Sequence, residues 1–189
     1  MTQTKILVDS NSYFRLAQNI HPLLSEPFGE EQYTLYPHKD LTFEFKRKAR
    51  LRNKFHWFTE PKFVENRKRF LRIGKKEQAE IEDNFEHIWA YIKDNRLNPL
   101  EVDTRILAAA LALDVPVVTD DRDMREVAAL FEIHCIGTLE LMKMMLDARH
   151  IKMAKVRQVA AQWQYDNDWP YGGWQKEYNK LFGEKPPKE

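Results

Sequence analysis

Cysteine and long apolar runs are scarce in this chain of 189 residues. Its single cysteine, Cys135, excludes an intrachain disulfide framework and a zinc site built from several cysteines. No apolar run approaches the roughly 20 residues that a membrane span needs. The N-terminal segment MTQTKILVDS lacks the basic region and following apolar region of a signal peptide. These features predict a cytoplasmic protein without a membrane segment.

Charge is distributed unevenly along the chain, although the formal net charge is only +1. Residues 46–76 contain thirteen lysines and arginines against two glutamates, which gives this segment a charge of +11. The rest of the chain therefore carries −10, because the two parts add to +1. A basic segment beside an acidic remainder predicts a surface that binds a polyanion next to an acidic site.

Apolar periodicity predicts strands that alternate with helices. Strands are expected at residues 5–9, 33–36, 115–119 and 133–136. Helices are expected at residues 12–20, from about 38 into the basic region, and at 77–95, 106–113, 122–131 and 138–148. One further helix and an aromatic tail are expected after residue 150. This order predicts a three-layer α/β/α fold around a central parallel sheet of four or five strands.

Acidic residues follow the predicted strands or begin the helices beside them. Asp9 ends the first strand, and Asp120 and Asp121 follow the third. Asp103 stands as the expected N-cap of the helix that leads into the third strand, and Glu44 lies on the helix that follows the second. Because ligands bind beyond the carboxyl ends of the strands in an open parallel sheet, we expect these acids to converge at one edge.

Converging carboxylates repel one another and do not all stay ionised unless a cation neutralises them. Mg²⁺ and Mn²⁺ prefer such oxygen ligands, and these ions can activate a water that cleaves a phosphodiester. Each acid taken alone has a structural interpretation: Asp9 in a turn, Asp103 and Asp121 at helix starts, Glu44 on a solvated helix face. The prediction of a metal site rests on their joint placement.

Three segments make the sequence resemble the PIN domain family of nucleases. They are ILVDSN at residues 6–11, the helix that carries Glu44, and VDTRILAAALALDVPVVTDDRDM at residues 102–124. The third segment matches a family pattern of an aspartate, an Ile-Ala-Ala helix, a short apolar strand and T-x-D-x-D. FEIHCIG, at residues 131–137, is similar to the family's last strand, and the resemblance covers about residues 4–147.

The resemblance implies a hydrolase that cleaves RNA with one or two Mg²⁺ or Mn²⁺ ions. Its implied catalytic and metal-binding acids are Asp9, Glu44, Asp103 and Asp121, with Asp123 as an auxiliary metal ligand and Asn11 and Thr119 as supporting residues. Many bacterial members are toxins inhibited by a small protein, an antitoxin, so the resemblance also implies such a partner. The chain departs from the compact toxin pattern in its long stretch at about 50–95 and in the residues after 149.

The segment KRKARLRNKFHWF, at residues 46–58, interleaves cations with aromatic rings. Cations neutralise phosphates, so we expect nucleic acid to bind Lys46, Arg47, Arg50, Arg52 and Lys54. The aromatic rings of this segment are expected in the core. The aromatic rings near the C-terminus are expected to pack on the core or to form a surface for a partner or for a homodimer. The chain is thus divided into a nuclease domain at 1–149, with a basic helical insertion at about 46–95, and a C-terminal extension at 150–189.

Other classes of protein fit the sequence less well. A phosphatase of the haloacid dehalogenase type needs D-x-D after the first strand, where this chain has Asp9-Ser10-Asn11. A receiver domain needs an early acid pair and a phosphoacceptor strand, and nucleotide-binding folds need a glycine-rich loop that the sequence lacks. Two alternatives stay open: a DNA-cleaving nuclease of the same fold, and a non-catalytic module that binds RNA or a protein.

Overall fold

A parallel sheet forms the centre of the protein. The structure, a computed structural model, describes residues 3–187. Within these residues the sheet has four strands in the order β2-β1-β3-β4, namely β1 (Thr4–Val8), β2 (Tyr33–Pro37), β3 (Val117–Val118) and β4 (Cys135–Ile136). The predicted strands at 115–119 and 133–136 are therefore too long. The reason is that the N–H groups of Val115 and Ile133 instead close the ends of the preceding helices, by donating to Ala110 and Ala128.

Backbone hydrogen bonds continue past the regular strands at the carboxyl edge of the sheet. The N–H of Asp9 donates to the carbonyl of Val118 at 3.1 Å, and the N–H of Thr119 donates to the carbonyl of Ile136 at 2.9 Å. Asp9 and Thr119 are thus fixed directly after the neighbouring strands β1 and β3 at this edge, where the sequence predicted them to be.

Helices cover both faces of the sheet. Their bounds are α1 (Ser10–Ala17), α2 (Leu41–Arg47), α3 (Ala49–Lys54), α4 (Pro61–Arg67), α5 (Lys75–Asp94), α6 (Glu101–Leu113), α7 (Arg122–Leu130), α8 (Thr138–Asp147), α9 (Met153–Tyr165) and α10 (Trp174–Phe182), and a 3₁₀ turn spans His56–Thr59. The predicted helices at 77–95, 122–131 and 138–148 are confirmed as α5, α7 and α8, with ends that differ by one or two residues.

The starts of three other predicted helices differ from the structure. α2 begins at Leu41 and not at about residue 38. α1 begins at Ser10 and not at residue 12, because the Asp9 carboxylate already caps it. α6 begins at Glu101 and not at residue 106, so Asp103 is the third residue of the helix and not its N-cap. Its carboxylate accepts the N–H of Leu100 at 3.1 Å, which stabilises the first turn from within.

Alternation along β1 divides the core into two layers. Ile6 and Val8 belong to a cluster formed with α1, α2, α8 and α9, whereas Leu7 belongs to a second cluster formed with α5, α6 and α7. Val118 and Val117 repeat this division in β3. The predicted three-layer α/β/α arrangement is therefore confirmed.

The residues from 46 to 95 are split between the two layers. α3, the 3₁₀ turn and α4 pack on the α1 face, and α5 packs on the other. Phe55, Trp57 and Phe58 are buried, as predicted, and Phe63 on α4 is buried with them. One cation is buried with them: the guanidinium of Arg67 lies 3.4 Å from the centre of the Phe58 ring and donates to the Phe58 carbonyl at 2.7 Å. Arg67, a cation of the basic segment, thus stabilises the core.

The C-terminal residues form two helices, α9 and α10, where one helix and a tail were predicted. Trp163, Trp174 and Tyr178 are buried in the same cluster as α1. The indole N–H of Trp163 also donates to the carbonyl of Arg15 at 3.0 Å. The α/β core and the extension therefore share one apolar interior. Across residues 3–187, the structure contains no helix that is both long enough and apolar enough to cross a membrane.

Candidate functional site

The carboxylate of Asp9 is buried at the end of β1, with a donor on each oxygen. Oδ1 accepts the N–H of Ser12 at 2.5 Å, and Oδ2 accepts the hydroxyl of Thr119 at 2.6 Å. Burial raises the pKa of Asp9 to about 6 against the effect of these two bonds, and the negative charge of Asp120 raises the pKa further. A carboxylate in this environment would be stabilised by a nearby cation.

Thr119 links Asp9 to Asp121. Its side chain is fully buried, and its hydroxyl oxygen accepts the N–H of Asp121 at 3.1 Å while it donates to Asp9. Asp121 caps α7 by accepting the N–H of Met124 at 2.8 Å, and the residue is otherwise exposed. One hydroxyl thus holds two of the predicted acids in a defined relation, which gives Thr119 a clear supporting position.

Asp103 lies in the electrostatic field of two other acids. Burial raises the pKa of Asp103 to about 6, and the charges of Asp121 and Glu44 add to that effect. The N–H of Leu100 and the charge of Lys48 act in the opposite direction. The structure therefore brings Asp103, Asp121 and Glu44 into one acidic neighbourhood.

Glu44 faces this neighbourhood because α2 buries Leu41 and Phe45 on its inner side. Only 12% of its side chain is exposed, and its carboxylate pairs with Lys48 one turn later on the chain. Glu44 was predicted to point toward the sheet edge, and the effect of its charge on Asp103 agrees with that prediction.

Asp120 is a buried acid that was expected at this edge but was not among the predicted catalytic and metal-binding residues. Its Oδ1 accepts the N–H of Thr138 at 2.9 Å and its Oδ2 accepts the hydroxyl of Thr138 at 2.7 Å, with Arg15 at 3.4 Å. Burial raises the pKa of Asp120. Strand alternation could have indicated this burial, because Asp120 lies two residues after Val118 and therefore on the face of the sheet that α1 covers.

Arg15 connects this acid to the C-terminal extension. Its guanidinium lies 3.2 Å from the carboxylate of Asp168, which also pairs with Lys54 at 2.7 Å. These cations lower the pKa of Asp168 against the opposing effect of its burial, which is the largest single influence. Lys54, predicted to bind nucleic acid, is thus already neutralised within the protein.

The remaining predicted residues lie at the margin of the site. Asn11 is exposed in the first turn of α1, and Asp123 is half-buried at the second position of α7. Within residues 3–187, neither side chain forms a hydrogen bond to Asp9, Asp103 or Asp121.

The other predicted cations lie on an exposed surface. Lys46 and Arg47 at the end of α2, and Arg50 and Arg52 on α3, all face solvent. They follow Glu44 directly in the chain, so this basic surface adjoins the acidic neighbourhood.

A divalent ion would meet oxygen ligands at this edge. Among residues 3–187, no group of three His, Cys, Asp or Glu side chains is arranged to hold one ion. Mg²⁺, however, is usually held through one or two carboxylates and keeps several waters. Asp9 and Asp103, whose pKa values are raised by burial, are the acids that would gain most from such an ion. The donor chemistry therefore fits an open, largely hydrated site and not a closed protein cage.

Comparison with known proteins adds little to this geometry. No protein-family model matches the chain, and no curated protein matches it significantly in sequence. The crystal structure of FitAcB from Neisseria gonorrhoeae is similar to it over 70% of this chain and 97% of that chain, with a TM-score of 0.47 and 16% identity. A likeness at that level carries no argument about family or activity. The fold class rests on the sheet and its two helical layers.

Proposed function

We propose that this protein is a metal-dependent endonuclease that hydrolyses phosphodiester bonds in RNA. The observation that carries the proposal is that two carboxyl groups have pKa values raised to about 6: Asp9, which is buried at the carboxyl edge of the sheet, and Asp103, which is half-buried in the first turn of α6 near the charges of Asp121 and Glu44. Two such carboxylates near Asp121 lower the stability of the fold when they are ionised, so folding gives no reason for them. Acids with perturbed pKa values of this kind cluster at functional sites. Hydrolysis by metal-held water needs no other catalytic side chain.

The four acids share one role in this proposal. Asp9, Asp103, Asp121 and Glu44 would hold the metal, with Asp123 as an auxiliary ligand. A divalent ion bound there would supply an activated water and neutralise the charge that develops on the leaving oxygen.

Neighbouring groups prepare these acids for that role. Thr119 orients the Asp9 carboxylate through its 2.6 Å hydrogen bond. Lys48 offsets the charge of Glu44, which keeps the acidic neighbourhood stable before any cation binds. Since the pKa values of Asp9 and Asp103 are near 6, both acids are mainly ionised at neutral pH and above.

The substrate would approach over α2 and α3. Lys46, Arg47, Arg50 and Arg52 are exposed there, and cations on such a surface attract the phosphate backbone and release its counterions. Neutralising Lys46, Arg47 and Arg50 together should weaken RNA binding and reduce its dependence on salt. The same surface would also accept DNA, so the choice of RNA is a part of the proposal that the assay below decides.

The test is cleavage of end-labelled single-stranded RNA and single-stranded DNA with Mg²⁺ or Mn²⁺. We expect Asp9→Asn and Asp121→Asn to lower the cleavage rate by about a hundredfold or more, the effect of removing a group that stabilises developing charge. Asp83→Asn is the matched control, because Asp83 is exposed in the middle of α5. Cleavage that survives EDTA, or that is equal in Asp9→Asn and Asp83→Asn, would contradict the proposal.

A non-catalytic RNA-binding module is the second candidate. The absence of any three-ligand group among the described residues favours it, because a binding module needs no metal. The same assay separates the two: salt-dependent RNA binding without cleavage of any substrate supports the module. An inhibitory protein partner and a homodimer stay predictions.

A further inference from the structure

A cavity of about 640 Å³ opens beside Asp120. Three parts of the chain line it: the start of α7 with Arg122 and Arg125, the start of α8 with Gly137, and the segment before α10 with Tyr171. Asp120 also contributes to the lining, so the cavity adjoins the acid whose charge raises the pKa of Asp9. The cavity falls within the range of roughly 300–1,000 Å³ in which small ligands bind.

The two arginines differ in what holds them. Arg125 donates to the carbonyl of Thr119 at 3.1 Å, which holds its guanidinium near Asp120 in the cavity lining. Arg122 is exposed at the first position of α7 and forms no ion pair with any residue from 3 to 187. The helix dipole disfavours a cation at a helix N-terminus, so Arg122 does not stabilise α7 locally.

Tyr171 forms an aromatic wall on a well-supported segment. Tyr171 is 41% exposed, although the neighbouring Pro170 is buried. The segment is also tied down through Asp168, which pairs with Arg15 on α1 and Lys54 on α3. An exposed ring that the backbone holds in place can stack on a base with little loss of conformational entropy.

We propose that this cavity binds one nucleotide of a single-stranded nucleic acid, with the base against Tyr171 and a phosphate between Arg122 and Arg125. The inference rests on the proposed nuclease function, and it assigns the C-terminal extension to the substrate site. The carboxylates of Glu140 and Glu177 also line the cavity and repel phosphate. They place the phosphate on the α7 side and leave acceptors for the amino groups of a base.

The test is the affinity of a short, fluorescently labelled single-stranded RNA, measured by anisotropy in EDTA so that no cleavage occurs. Tyr171→Ala should weaken binding about tenfold, because stacking on one ring is lost. Tyr171→Phe, which keeps the ring, should bind within about twofold of the native protein. Arg122→Gln should weaken binding and lower the salt dependence by the equivalent of about one phosphate contact.

Two matched controls are available. Tyr165 is 82% exposed at the end of α9 outside the cavity, and Arg149 is exposed beyond the end of α8 that is remote from Gly137. Tyr165→Ala and Arg149→Gln should bind RNA like the native protein. Equal affinities of Tyr171→Ala and Tyr165→Ala, an equal loss in Tyr171→Phe and Tyr171→Ala, or no RNA binding at all would overturn the assignment.

The cavity and the nuclease can fail separately. If the native protein cleaves RNA and Tyr171→Ala binds normally, the cavity assignment is wrong and the nuclease stands. If the native protein cleaves nothing but Tyr171→Ala still binds about tenfold more weakly, the nuclease is wrong and the cavity binds nucleic acid.

Discussion

The charge of Asp9 should destabilise the folded protein at neutral pH. Asp9 is 3% exposed, and burial raises its pKa from 3.8 to about 6. That difference corresponds to about 3 kcal/mol of folding free energy above the higher pKa. Because the folded protein holds the proton more tightly than the unfolded chain, stability rises as the pH falls from above 6 toward 4. Asp9→Asn removes the charge but weakens one of the bonds to Ser12 and Thr119, at a cost of about 1 kcal/mol.

Asp9→Asn should therefore be more stable than the native protein by about 2 kcal/mol at pH 8, with the advantage gone near pH 4.5. Urea unfolding of both proteins at several pH values measures this difference. Asp83→Asn controls for the loss of one exposed acid, and it should show no comparable dependence on pH. A constant difference between Asp9→Asn and native protein from pH 4.5 to 8 would refute the reasoning, because the buried charge would then not be its cause.

Adding Mg²⁺ extends the same experiment to the proposed metal site. A ligand that binds only the folded protein stabilises it by mass action, so Mg²⁺ should raise the unfolding free energy of the native protein at pH 8. Asp9→Asn should gain less from the same Mg²⁺ concentration. An equal gain in both proteins would remove Asp9 from the set of ligands, whatever its effect on stability.

Three further predictions concern the buried ion pair, the extension and proton competition. Arg15→Gln should lower the free energy of unfolding by about 3 kcal/mol, because the buried carboxylate of Asp120 loses its ion pair with α1. Urea unfolding at pH 8 measures the loss, and a change below about 0.5 kcal/mol would contradict the prediction. Trp163→Ala should cost about 3–5 kcal/mol in one cooperative transition, and a separate early transition would show that the extension unfolds alone. Mg²⁺ binding followed by calorimetry should weaken as the pH falls through about 6, since protonated Asp9 and Asp103 are poor ligands; pH-independent binding would point to other ligands.

Local patterns were sufficient for most of the secondary structure. The apolar stripe of α5 and the alternation of strands with helices depend on residues close in sequence, so periodicity revealed them. Errors arose at the ends of elements. The N-terminus of α6 was missed because Asp103 caps the helix from its third position. From the sequence alone, an acid before an apolar run is equally compatible with the N-cap position and with the third position of the helix. The short β3 and β4 reflect N–H groups already used by the preceding helices.

The C-terminal extension shows where sequence patterns are insufficient. Its many aromatic residues indicated burial, but a composition does not say against what. The structure buries Trp163 and Trp174 in the cluster that contains α1, and this packing brings Asp168 beside Arg15 and Tyr171 into the same cavity as Arg122. None of these pairs is close in sequence, so each depends on the path of the whole chain.

The sequence by itself determined the α/β class and the presence of acids after the strands, because apolar periodicity and the succession of strands and helices along the chain depend on neighbouring residues. Only the tertiary structure decided how those acids differ. It buried Asp9, half-buried Asp103, and left Asp121 exposed as a helix cap. It also turned Asp120 inward onto Thr138 and Arg15. The physical reason is that burial and opposing charge set the state of a carboxyl group, and both are supplied by residues that lie far apart along the chain.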